Sequence, residues 1–185
     1  TLSSSSAASD VYKRQGITKE NYAALCQRHH TSKLATFEDL MRVETFGFRG
    51  EALASLCTVA RVTIITATQT EAPMGTVLEF DHQGVLIAQD KRQARSRGTT
   101  VILRDLLSNL PVRRRELEKH VKREYNKAHT MLQAYALITQ NVRWSSCVQL
   151  NNGRQVSQLV MRSASGPNAI QTNMSALFGT KASAA

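Results

Sequence analysis

Residues 47–53 read Gly47-Phe48-Arg49-Gly50-Glu51-Ala52-Leu53, two glycines that run straight into the helix-forming letters Glu51-Ala52-Leu53-Ala54-Ser55-Leu56. Glycine takes positive φ and lets a backbone approach a ligand with no Cβ in the way. The first turn of the following helix offers unpaired N–H groups at the positive end of its dipole. The stretch therefore reads as a cradle for an anion, phosphate first among them. The same letters also fit a plain helix-starting turn, and the choice between the two rests on their surroundings. The glycine spacing is not that of a dinucleotide-binding loop, and Glu51 would repel a bare pyrophosphate unless its side chain points away.

Composition bounds what can surround this loop. A chain of 185 residues with 42% hydrophobic content can form one good core or two small ones, and with aromatics at 5% the packing must be mainly aliphatic. It has no apolar run of about 18 residues, which argues against a membrane-spanning helix. The first residues lack the order of a secretory signal. Cys26, Cys57 and Cys147 lie far apart with no C-x-x-C spacing, and they read as reduced, buried thiols rather than as metal ligands.

Charge is unevenly placed. Residues 1–90 hold eight Lys and Arg against ten Asp and Glu, a balance of −2, whereas residues 91–127 hold twelve against four, a balance of +8. Residues 128–185 add four positive charges and no acid. A solvated helix face explains many charge runs. Here Arg113-Arg114-Arg115, followed by Lys119, Lys122, Arg123 and Lys127, has too little nearby acid to neutralise it, and a polyanion partner is the better explanation. Without interleaved aromatics the segment does not read as a base-stacking platform, so its contacts would be with phosphates and sensitive to salt.

Along the chain, residues 1–9 are a Ser/Ala tract without apolar period, and residues 10–15 show no clear element. From Thr18 a helical period places Tyr22, Leu25 and Cys26 on one face. His29 and His30 end that face, and as helix neighbours about 100° apart they make a poor metal site. Thr36 and Asp39 form a capping box that opens a short helix through Met41. A helix over Glu51–Ala60 leads into a β-branched strand, Arg61–Thr68. Gly75–Phe80 and Val85–Ala88 flank the turn Asp81-His82-Gln83-Gly84, and Thr99–Leu103 supplies a further strand. After Pro111 a helix runs to about Gln140 with a buried stripe of Val121, Tyr125, Ala128, Leu132 and Tyr135. Val142–Leu150 and Arg154–Val160 form a hairpin about Asn151-Asn152-Gly153, and Pro167 opens a last helix that closes near Phe178-Gly179. The pattern is α/β of the α+β kind: a mixed or antiparallel sheet with helices on one face.

The letters Gly-Phe-Arg-Gly-Glu-Ala-Leu resemble the third nucleotide-binding motif of the MutL family of DNA mismatch-repair ATPases, which share the GHKL nucleotide fold with gyrase and the Hsp-type chaperones. Three segments agree in order and spacing. His29-His30-Thr31-Ser32-Lys33 is similar to the lid segment, and Val43-Glu44-Thr45-Phe46 to the family's lead into the loop. Arg97-Gly98-Thr99-Thr100-Val101, followed by Asn109-Leu110-Pro111-Val112-Arg113-Arg114, resembles the fourth motif and the basic segment after it. The likeness runs from Gly16 to Lys181 and is nearest to the eukaryotic post-meiotic-segregation paralogue.

This resemblance implies a partial GHKL (Bergerat) ATPase sandwich over residues 16–115. The start of a ribosomal S5-like transducer domain would cover 116–185, and residues 1–15 would be a tail foreign to the family. It implies ATP and Mg2+ as cofactors. Gly47, Phe48, Arg49, Gly50, Glu51, Ala52 and Leu53 would lie at the phosphates, Thr31, Ser32 and Lys33 in the lid, and Thr99 or Thr100 near the base. Arg113, Arg114, Arg115, Lys119, Lys122 and Arg123 are the expected DNA contacts.

In the family the general-base Glu and the magnesium-ligand Asn precede the segment matched here, and a transducer Lys follows it. No catalytic or metal-ligating residue is therefore expected in this chain, which by itself is expected not to turn over ATP. The implied function is that of a fragment of a mismatch-repair protein in the nucleus, where nucleotide-driven dimerisation with a second MutL homologue clamps DNA. A MutS-type mismatch-recognition complex is the implied upstream partner, with no membrane involved. The alternative is a non-enzymatic basic nucleic-acid-binding module.

Overall fold

The computed structural model describes residues 4–5, 16–30, 49–149 and 154–180. The chain divides into two compact units, with the division at Arg114–Arg115. The first is built on a five-stranded antiparallel sheet. Its strands are β1 (Ser4–Ser5), β2 (Arg61–Ala67), β3 (Met74–Phe80), β4 (Leu86–Ala94) and β5 (Gly98–Arg104), in the order β1-β5-β2-β3-β4. β2 is central, and its unbroken β-branched run Val62–Thr66 suits a strand covered on both sides: Val62, Ile64 and Thr66 are fully buried on one face, and Ile65 and Ala67 are buried on the other. Register extends that face sideways. Val62 sits between Phe80 and Leu103, Ile64 between Leu78 and Val101, and Thr66 between Thr76 and Thr99.

Helix α1 (Ala52–Val59) covers this face. Cys57 is buried with Val62, Ile64, Leu78 and Phe80, and Leu53 and Leu56 pack against the same cluster. Its C-terminal carbonyls are taken by the segment after β5. The Leu107 N–H donates to the Val59 carbonyl at 2.6 Å, and the Asn109 amide donates to that of Thr58 at 2.7 Å.

The expected helix from Thr18 is replaced by a 3-10 turn, Lys19–Asn21, and tight turns through Cys26, closed by three-residue bonds such as Tyr22 N–H to Lys19 C=O. Tyr22 and Cys26 are nevertheless buried as the apolar period predicts. Strand β4 runs to Ala94, well past the predicted end at Ala88, because an edge strand exposed on both faces accepts Gln, Asp, Lys and Arg. Residues 36–41 lie outside the described residues.

The second unit contains α3 (Val121–Ile138), the hairpin of β6 (Arg143–Gln149) and β7 (Gln155–Arg162), and α4 (Ala169–Phe178). The long helix expected from Pro111 is two: α2 (Pro111–Lys119) ends where His120 leaves helical geometry at φ −115°, ψ 20°. The buried line along α3 also differs from the expected stripe. Ala136 is buried and Tyr125, His129 and Leu132 are half-buried, whereas Val121, Ala128 and Tyr135 are exposed. The buried Asn173 of α4 ties the unit together. Its amide donates to the carbonyls of Leu137 (2.9 Å) and Thr139 (3.2 Å) at the end of α3, and its oxygen accepts the Ala164 N–H at 2.7 Å. Pro167 precedes the N-cap Asn168 instead of opening α4, and the turn 151–153 is outside the described residues. No described helix is long and apolar enough to cross a membrane.

Replacing Ile64, which has no exposure, by Ala is expected to cost about 3 kcal/mol in urea unfolding of the chain. Ile87→Ala on β4, where the side chain is 63% exposed, should cost less than about 0.5 kcal/mol.

Candidate functional site

Gly50 sits immediately before α1 with φ +71°, and a Cβ there would collide with the backbone carbonyl of His30. Glycine is required twice over, for its left-handed backbone and for its close approach. His30 and Gly50 flank residues 31–48, so the two flanks of that segment lie side by side. Thr31, Ser32, Lys33, Gly47 and Phe48 lie outside the described residues.

Beyond Gly50, the first α1 hydrogen bond runs from the Ser55 N–H to the Glu51 carbonyl at 2.9 Å. The N–H groups of Ala52, Leu53 and Ala54 therefore precede the intrahelical ladder. No side chain caps this end, and the first turn carries no acid. The carboxylate of Glu51 is turned to the Arg49 guanidinium, whose Nε lies 3.0 Å from Oε2, and to the His29 imidazole, whose Nδ1 lies 3.4 Å from Oε1. The repulsion that the letters raise against an anion is thus offset locally. An open hollow of about 150 Å³, lined by Arg28, His29, Glu51 and Ser55, adjoins this end.

At the other end of the same sheet face, Thr99 and Thr100 are not equivalent. Alternation puts them on opposite faces of β5. The Thr99 hydroxyl is 3.0 Å from that of Thr66, on the side covered by α1. The Thr100 hydroxyl is held instead by Arg95, whose Nε also donates to the Gly98 carbonyl at 3.0 Å. Thr66 further accepts the Ile17 N–H at 2.8 Å, next to Gly16, which at φ +70° lies against the Ala67 carbonyl. Thr66 and the Gly16–Ile17 backbone thus lie beside Thr99 at this end of the candidate site, and Thr66 is the residue that the motifs alone miss. Its place in the inward register after Val62 and Ile64 is the signal that finds it.

On α2, Arg113, Arg114, Arg115 and Lys119 are all exposed, as are Lys122 and Arg123 on α3. Arg123 Nε lies 3.0 Å from Glu124, which also takes Lys127, so part of the positive charge is balanced within α3. Cys26 and Cys57 are buried and share a hydrogen bond, and that bond together with burial pushes the Cys26 thiol far up, so it keeps its proton. Cys147 is exposed, against the expectation of three buried thiols, because strand alternation turns it outward on β6.

No family model matches the chain. The DNA mismatch repair protein pms1 of Schizosaccharomyces pombe is 47% identical over 169 residues, which are 91% of this chain and 21% of that protein. The crystal structure of the N-terminal domain of a DNA repair protein superposes with a TM-score of 0.72 at 35% identity, covering 91% of this chain and 46% of that one. The Aquifex aeolicus MutL ATPase domain complexed with ADP superposes with a TM-score of 0.56 at 27% identity, over 79% of this chain and 53% of that one. The chain belongs to the MutL family. Its antiparallel sheet with α1 on one face has the GHKL fold of the MutL ATPase domain, as the loop and the fourth motif imply. The chain spans about a fifth of the length of the pms1 relative.

Gly50→Ala is expected to destabilise this MutL chain by about 1–3 kcal/mol in denaturant unfolding. Arg49→Ala breaks only an exposed ion pair and should cost less than about 1 kcal/mol.

Proposed function

We propose that the first unit binds an adenine nucleotide, with the phosphates at Gly50–Leu53 and the base toward Thr99. One observation carries this reading: Gly50 is pinned against His30 directly ahead of three α1 N–H groups that precede the ladder, and the nearest acid, Glu51, faces Arg49 and His29. The ADP complex of the Aquifex aeolicus MutL ATPase domain supports it. Glu51 is a phosphate-end residue and not a general base, since its carboxylate is engaged by Arg49 and His29. Mg2+ would accompany the nucleotide as in the family, and among the described residues no group of three His, Cys, Asp or Glu is placed to hold it.

In this reading the chain is part of a mismatch-repair protein of the nucleus. Nucleotide binding involves Thr31, Ser32 and Lys33 of the segment that resembles the family's lid, and it drives dimerisation. Dimerisation with a second MutL homologue then clamps DNA, downstream of a MutS-type complex. The second unit is the S5-like transducer portion.

Calorimetric titration of the 185-residue chain with ADP should give one site, for which inorganic pyrophosphate competes. Failure to bind ADP at millimolar concentration would overturn the reading.

A nucleic-acid role of the basic segment is favoured by the exposure of Arg113, Arg114 and Arg115. With all three replaced by Ala, the slope of log affinity for duplex DNA against log salt should become shallower by about 0.9 for each phosphate no longer neutralised. An unchanged slope would put the DNA surface elsewhere. DNA binding indifferent to nucleotide in a chain that takes no ADP would favour the plain basic module.

A further inference from the structure

Three threonines stand side by side at one end of an otherwise apolar sheet face: Thr76 on β3, Thr66 on β2 and Thr99 on β5. The rows next to them are Leu78–Ile64–Val101 and Phe80–Val62–Leu103, so three hydroxyls in one row are not needed for packing. Thr76 is accounted for, because its hydroxyl accepts from Arg92 at 2.8 Å. Thr66, fully buried, is the hub of the rest. It accepts the Ile17 N–H at 2.8 Å, lies 3.0 Å from the Thr99 hydroxyl and 3.3 Å from the Gly98 carbonyl.

We infer that Thr66 is a positioning residue for the base end of the nucleotide site, acting by fixing the Thr99 hydroxyl and the Gly16–Ile17 backbone together; the inference rests on the nucleotide reading above. A hydroxyl has one proton and two lone pairs. One lone pair of Thr66 is committed to Ile17, so its proton goes either to Thr99 or to the Gly98 carbonyl. When Thr66 donates to Thr99, the Thr99 proton is released toward a ring nitrogen of the base. When Thr66 donates to Gly98, Thr99 donates to Thr66 and presents its lone pairs to an amino group. In both arrangements Thr66 sets which way Thr99 faces a purine. A valine would keep the shape and the β-branching but leave the Ile17 N–H without its acceptor and Thr99 without its orienting partner.

The test compares Thr66→Val and Thr66→Ser with the unaltered 185-residue chain, measuring affinities for ADP and for inorganic pyrophosphate. Thr66→Val should weaken ADP about tenfold, the worth of one well-placed hydrogen bond, and leave pyrophosphate within about twofold. Thr66→Ser, which keeps the hydroxyl, should restore ADP. The inference is overturned if Thr66→Val binds ADP as tightly as the unaltered chain, if both ligands weaken together, or if Thr66→Ser behaves like Thr66→Val. If the unaltered chain binds neither ligand, the nucleotide reading itself fails, a result separable from the other three.

Discussion

The burial of one face of β2 beneath α1 is the constraint on which the first unit depends. Val62 and Ile64 are withdrawn from water on that face, and each is flanked by apolar partners on both neighbouring strands. Full burial of such a side chain contributes about 1.5–3 kcal/mol, and a slip of one residue would turn the whole set to the face away from α1. The register that this enforces also decides chemistry. It places Thr66 inside, aligns it with Thr99, and leaves Thr100 on the opposite face with Arg95. The same packing holds α1 by Leu53, Leu56 and Cys57, which points its N-terminal turn at the Gly50 approach.

Most of that unit is legible in the letters because its signals are local and periodic. The β-branched run of 61–68, the turn glycine at 84 and the glycine before Glu51 each act through backbone or pleat geometry that a sequence states directly. What escapes is set by partners distant in sequence. The turns at 19–26 carry a helical apolar spacing, yet three-residue hydrogen bonds satisfy their backbone while Tyr22 and Cys26 still reach the core. The break at His120 has no proline or glycine to mark it. The choice of Thr99 over Thr100 requires knowing that Thr66 and Arg95 stand on opposite sides of β5.

The two ends of the candidate site are built on different principles. At Gly50 the backbone dominates: a left-handed glycine, a carbonyl too close to admit a Cβ and helix N–H groups that precede the ladder, with the Arg49 guanidinium offsetting the nearby acid. At Thr99 side-chain hydroxyls take over, and a buried threonine decides their direction. In the proposed reading the backbone cradle would take phosphates and the hydroxyls the base, a pairing that suits a nucleotide better than a bare inorganic anion, which would need only the first.

The most direct test follows both ends at once by amide hydrogen exchange of the chain with and without saturating ADP. The account predicts slowed exchange at Ala52, Leu53 and Ala54 together with Ile17 and Thr99. Protection confined to α2, or none at either end, would contradict it.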